Sequence, residues 1–299
     1  FIYLVIIPGL FFISCDKKES LSEVVQRGLD ISTRQSIYLA GELENQMEIL
    51  PRTYENYELK TAGYKSWISG FFPGVLWYLY ENDSLTEIRK YAELYTARVE
   101  EAKTMTSTHD LGFMLYCSFG NGYRLTSNPH YLEVLKTGAE SLSTRFDEKV
   151  GVIKSWNSNG KWQYPVIIDN MMNLEMLSFV AKETNQEHFM DIANTHARTT
   201  LLHHFRPDNS CYHVISYDTI TGKPHAKQTH QGYSDSSAWA RGQAWALYGY
   251  TMMYRETGKP EYLEQARKVA SFIKNHPNLP EDKVPYWDFD APDIPNAPR

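Results

Sequence analysis

The sequence predicts an all-α fold in which helical hairpins are strung into a toroid or solenoid. Four amphipathic segments can be laid over one another: 85–93, 131–140, 189–197 and 262–270. With Ala92, Ala139, Ala197 and Ala270 as markers, they recur at intervals of 47, 58 and 73 residues. Between them lie segments that are apolar around most of their circumference, roughly 70–82, 110–127, 170–184 and 237–257, as buried helices are. An outer amphipathic helix alternating with an inner apolar one is the mark of stacked αα-hairpins.

The elements follow in order. Phe1 to Ile13 is almost wholly apolar, too short to span a bilayer, and leads into Ser14-Cys15-Asp16-Lys17-Lys18. This pattern resembles a bacterial lipoprotein signal with Cys15 as the lipidated residue. The alternative is an ordinary signal or anchor. The expected location is exported, periplasmic or membrane-anchored, with Cys15 as the membrane contact. No initiator Met or basic stretch precedes the apolar run, so the start reads as clipped. Residues 16–299 are expected to form a single domain, with about nine helices between residues 20 and 275. Breakers stand before the outer helices: Asn82-Asp83-Ser84, Asn128-Pro129, Asn185-Gln186 and Gly258-Lys259-Pro260. Pro129 and Pro260 sit where a helix start tolerates proline. Residues 205–233 are polar and β-flavoured, and read as a hairpin inserted on one rim. Residues 277–299 carry six prolines and no helical period, which for a closed ring ends the chain too soon.

Composition narrows the function classes. A net charge of −6 leaves no electrostatic footprint for nucleic acid. Seven Trp and 21 Tyr suit either a large helical core or a cleft walled with flat faces for a sugar, and composition alone favours the core. Cys117 and Cys211 make no disulfide framework, and Cys117 reads as inert core. His196 and the pair His203-His204 lack a carboxylate to complete a metal set, so no metal or organic cofactor is expected.

In a toroid of hairpins all inner helices run the same way, and their N-termini share one rim. Asp110 closes Ser107-Thr108-His109-Asp110 before one apolar run; Asp169 closes Val166-Ile167-Ile168-Asp169 before another. For either acid alone, helix capping is the commoner explanation. Together, facing one cavity after stretches expected to be buried, they make an acid/base pair, because burial and like charge raise at least one pKa. Ser237, Arg241 and Trp245 fall at i, i+4 and i+8 on one face of a helix expected to be buried. A buried Arg needs an anion, either a Glu of the protein or a carboxylate on a ligand. Trp245 would offer a stacking face, and His213, His230 and Gln231 lie on the inserted rim.

Three blocks, His109–Phe113, Ile168–Leu174 and Gly232–Trp245, together resemble the unsaturated glucuronyl hydrolases of glycoside hydrolase family 88, from about residue 25 to the end. The resemblance implies an (α/α)6 barrel of twelve helices, of which roughly the last three would be absent here. It places the catalytic acids on Asp110 and Asp169, and sugar contacts on Trp67, His109, Trp156, His213, Gln231, Arg241 and Trp245. The implied partner is an oligosaccharide ending in a 4,5-unsaturated uronic acid, the product of a polysaccharide lyase. Asp169 would protonate C4 and activate water for attack at C5, with Asp110 holding the sugar and the Asp169 proton. Two rivals stand beside this reading: a hydrolase of unsaturated rhamnogalacturonyl fragments from pectin, and a non-catalytic sugar-binding lipoprotein.

Overall fold

A computed structural model describes residues 19–299; the expected signal segment and Cys15 lie outside the described residues. Ser20 opens α1 (Leu21–Leu43) with a capping box, its Oγ accepting from Glu23 N while Glu23 Oε2 accepts from Ser20 N at 2.7 Å. A hairpin of β1 (Leu50–Glu55) and β2 (Glu58–Ala62) follows, turning at Asn56 and Tyr57, both at positive φ. Nothing in the sequence reading anticipated it.

Four helical hairpins then form an arc. They are α2 (Phe71–Asp83) with α3 (Thr86–Ala97); a π-helix (Gly112–Gly120) running into α4 (Asn121–Thr126), with α5 (Pro129–Ser143); α6 (Asn170–Thr184) with α7 (Glu187–His203); and α8 (Ala240–Thr257) with α9 (Pro260–Asn275). Among the described residues there are nine α-helices, as expected from the periodicity. One turn joins each inner helix to its outer partner. Ser84, Ser127, Asn185 and Gly258 adopt the left-handed conformation (φ 54, 53, 55 and 69°), and the outer helix begins two residues later. The N–H of each bonds back to the carbonyl four residues earlier, satisfying an orphan acceptor at the helix end. This repeated turn is why the four segments superimpose.

The inner helices carry the core. Trp77, Phe119, Leu174 and Tyr250 are fully buried, and the outer helices pack one face each, as Ile88 and Tyr95 of α3 do. Buried polar tips find backbone or side-chain partners: Trp77 Nε1 donates to Thr96 Oγ1 at 2.9 Å and Tyr250 OH to Ala197 O at 3.0 Å. Backbones touch where α2 meets the π-helix: a Cβ on Gly70 would lie 2.2 Å from the carbonyl oxygens of Phe113 and Met114. Among the described residues no helix is long and apolar enough to cross a membrane.

On the rim at the inner-helix N-termini lie β3 (Phe146–Asp147) paired with β4 (Val152–Ile153), and a three-stranded antiparallel sheet. That sheet has the order β5 (Pro165–Ile167), β6 (Val214–Tyr217), β7 (Pro224–Gln228). Strands β6 and β7 are the hairpin expected within 205–233. Strand β5 is the addition, and it aims the chain at Asp169.

Candidate active site

Two residues separate the end of β5 from the start of α6, and Asp169 is the second. It occupies the position of a helix cap, yet its side chain makes no capping hydrogen bond. The capping explanation therefore fails for it. The residue is 8% exposed and its Oδ2 has no partner. Burial pushes the carboxyl up to about 7. Its own backbone N–H opposes the rise, the charge of Asp110 adds to it by less, and Arg241 and the Trp245 indole oppose it more weakly still.

Asp110 stands two residues before the π-helix on the neighbouring hairpin, half-buried. Its Oδ2 accepts from Thr108 Oγ1, and its Oδ1 lies 3.2 Å from His109 Nε2. Both acids border one cleft of about 250 Å³. Trp67 and Trp156 wall it with aromatic faces, and Gln231, His230 and Arg241 line it from the inserted hairpin and α8. Larger hollows lie elsewhere, the two most spacious of them about 530 and 750 Å³. The first contains carboxylates, but Glu175 is paired with Arg255 and Tyr248, and Glu256 with Lys182 and Arg255. The second is mostly apolar. Size does not select the site; the unpaired acid does.

His213 is held in one protonation state. Its Nδ1 accepts the backbone N–H groups of His230 (3.0 Å) and Gln231 (3.1 Å). The ring proton must therefore sit on Nε2. Nε2 lies 3.7 Å from Asp169 Oδ2, and neither atom has another partner. Burial, with help from neighbouring His230, lowers this imidazole to about 3 and keeps it neutral. It is a fixed N–H donor facing the acid.

Arg241 corrects an expectation. It was expected to be buried, but it is exposed, because the first turn of α8 opens onto the cleft. Among the described residues it forms no ion pair. Its guanidinium instead lies over the rings of Trp239 (4.6 Å) and Trp67 (5.7 Å). Ser237 does not join the stripe with Arg241 and Trp245. The helix begins only at Ala240, and the Ser237 hydroxyl is bound to Asp288 Oδ2 at 2.8 Å. Trp245 packs on Phe113 at 5.3 Å beneath the acids, with Nε1 buried and unpaired. His109 is fully buried, yet it lines the cleft beside Asp110.

Sequence reasoning missed Trp239 and Arg145. Arg145, buried and without a carboxylate partner among the described residues, donates to Lys154 O (2.7 Å), Thr106 O and Asn157 Oδ1 (3.4 Å). It ties the segment before His109 to the loop carrying Trp156. Its place at the end of an outer helix gave no hint of this. Among the described residues no cluster of three or more His, Cys, Asp or Glu side chains could hold a metal ion.

A carboxyl that keeps its proton near neutrality can give it to a bound sugar and recover it from water. On a toroid of inner and outer helices, that is the equipment of an α/α-type glycoside hydrolase. The chain belongs to Glycosyl Hydrolase Family 88, whose profile matches residues 44–284. It is 42% identical to an unsaturated glucuronyl hydrolase of Formosa agariphila, over all of this chain and 77% of that protein. It is 32% identical to an unsaturated chondroitin disaccharide hydrolase of Streptococcus pyogenes, over 91% of this chain and 69% of the relative. The fold matches the crystal structure of an unsaturated glucuronyl hydrolase specific for heparin with a TM-score of 0.86 and 45% identity, over 92% of this chain and 74% of that one. These neighbours are (α/α)6 barrels, the architecture expected from the sequence.

Proposed function

We propose that the protein hydrolyses oligosaccharides ending in a 4,5-unsaturated glucuronic acid, by hydrating the C4=C5 bond. The observation that carries this is the buried, uncapped Asp169, held protonated to about pH 7 beside Asp110 and facing a guanidinium with no ion pair. A non-catalytic binder would need Arg241 and the tryptophans, but not an acid kept neutral at a cost to folding. The relatives support the substrate class. An Asp-to-Asn variant of the Streptococcus agalactiae enzyme was solved with dGlcA-GalNAc6S, at 27% identity and a TM-score of 0.75 to this chain.

The Asp169 O–H protonates C4, and positive charge develops on C5 and the ring oxygen. Water attacks C5 and passes its proton to the Asp169 carboxylate, which restores the acid. The resulting C5 hemiketal opens by breaking its bond to the ring oxygen. C1 is then left with a hydroxyl and the leaving sugar, and this hemiacetal expels that sugar. The His213 N–H steadies Asp169 when it is ionised, Asp110 holds the sugar, and Arg241 receives the substrate carboxylate on its free guanidinium.

The test is loss of the ultraviolet absorbance of the conjugated alkene, with unsaturated chondroitin and heparin disaccharides. Decay with the native protein and none with Asp169→Asn is expected. Flat traces with both, and with hyaluronan- and pectin-derived substrates, would overturn the assignment.

A further inference from the structure

The two acids come from different hairpins, and something must hold their helix starts in register. The backbones meet where Gly112, two residues after Asp110, lies against Asn173, four residues after Asp169. A Cβ on Gly112 would sit 2.5 Å from Asn173 Cα. The Asn173 amide is buried at this seam, and its orientation is not free. Its Oδ1 accepts the Phe113 N–H at 3.1 Å, so the other end of the amide, Nδ2, is a donor. That donor faces His109 Nδ1 at 3.4 Å.

An imidazole nitrogen that receives an N–H cannot carry a proton of its own. Asn173 therefore leaves the His109 proton on Nε2. Nε2 lies 3.2 Å from Asp110 Oδ1, without closing a straight hydrogen bond to it. Asn170, next to Asp169, is also fixed in orientation. Its Nδ2 donates to Ile153 O at 2.7 Å, which leaves its buried Oδ1 without a hydrogen-bond partner. The His109 ring thus lies between the Asp110 carboxylate of one helix start and the Asn173 amide of the other.

We infer that Asn173 is a positioning residue: it fixes His109 as the Nε2–H tautomer, and His109 in turn links the start of the π-helix to the start of α6 and so sets Asp110 against Asp169. Its role in turnover rests on the hydration reading above; the tautomer itself does not. His109 acts here as a strut between the two helix starts.

The experiment is ¹⁵N NMR of the full chain labelled at histidine, with the His109 resonances assigned by their loss in His109→Gln. Native protein is expected to show His109 protonated at Nε2 alone, and a proton on Nδ1 would overturn the inference without any variant. Asn173→Asp keeps the acceptor for Phe113 N–H but replaces the donor by an oxygen, so the His109 proton is expected to move to Nδ1. With that switch kcat is expected to fall at least tenfold while KM stays within threefold. An unswitched tautomer, or a switch that leaves kcat unchanged, overturns the inference. Should Asn173→Asp not fold, the native spectrum still decides the tautomer, and Asn173→Ala, which removes donor and acceptor together, is expected to give mixed tautomers and the same loss of kcat. If the native protein turns over no unsaturated uronide, the hydration reading fails while the tautomer measurement still stands.

Discussion

Asp169→Asn is expected to make the protein more stable in alkaline solution while abolishing its chemistry. The folded carboxyl holds its proton to about pH 7, whereas an unfolded aspartate releases it near its ordinary 3.8. Between those values the unfolded chain binds fewer protons, so this group's contribution to stability declines as pH rises and is lost once pH passes about 7. From pH 5 up to 7, at about 1.36 kcal/mol per pH unit, the native protein loses on the order of 3 kcal/mol that a neutral amide does not. For a chain of this size that is roughly 4–5 °C in melting temperature. The assay is thermal unfolding of both proteins at pH 5 and pH 8.5, taking the difference between them so that all other titrating groups cancel. A difference in melting temperature that does not grow in favour of Asp169→Asn between the two pH values would refute the reasoning. It would mean that Asp169 is ionised in the fold and that water reaches it.

Three further outcomes follow from the same geometry. Turnover is expected to be flat on the acidic side and to fall about tenfold per pH unit above about 7, as Asp169 gives up its proton; a rate that rises toward pH 8.5 would exclude it as the acid. Arg241→Met leaves the substrate carboxylate unmatched, so KM is expected to rise roughly 10–100-fold with a smaller change in kcat, measured by initial rates. His213→Ala strips the partner from two backbone N–H groups, and urea unfolding is expected to show a loss of about 1–3 kcal/mol together with reduced turnover; unchanged stability would mean that water replaces the ring.

The arc of helices was legible because its signals are periodic and long. Each outer helix shows one buried face, each inner helix is apolar nearly all round, and the same left-handed turn separates them four times. The short strands were not legible. β5 is three buried residues, Pro165, Val166 and Ile167, which read equally well as the approach to an apolar helix. The β1–β2 hairpin is largely exposed and has no apolar alternation to betray it. The π-helical stretch 112–120 has the composition of an ordinary buried helix; what sets it apart is packing, with Gly112 against Asn173 and the Phe113 N–H taken by the Asn173 side chain. Arg241 was assigned to the right helix and the wrong environment, since periodicity gives the face of a helix but not where that face meets a cleft.

The site shows why two aspartates at equivalent positions take different parts. Both stand at the start of an inner helix on the same rim, and neither caps it. The residues before them differ in kind. Thr108 and His109 bring a hydroxyl and an imidazole N–H within reach of the Asp110 carboxylate, which is also open to the cleft. Ile167 and Ile168 bring only buried hydrocarbon to Asp169, and β5 presses that hydrocarbon in from one side. The His213 N–H stands 3.7 Å from Asp169 Oδ2, too far to hold a carboxylate in the resting site. It is close enough to do so once the proton has gone to substrate. The proton-donating acid is thus the one whose burial outweighs the donors around it, and that asymmetry begins in the two residues preceding each aspartate.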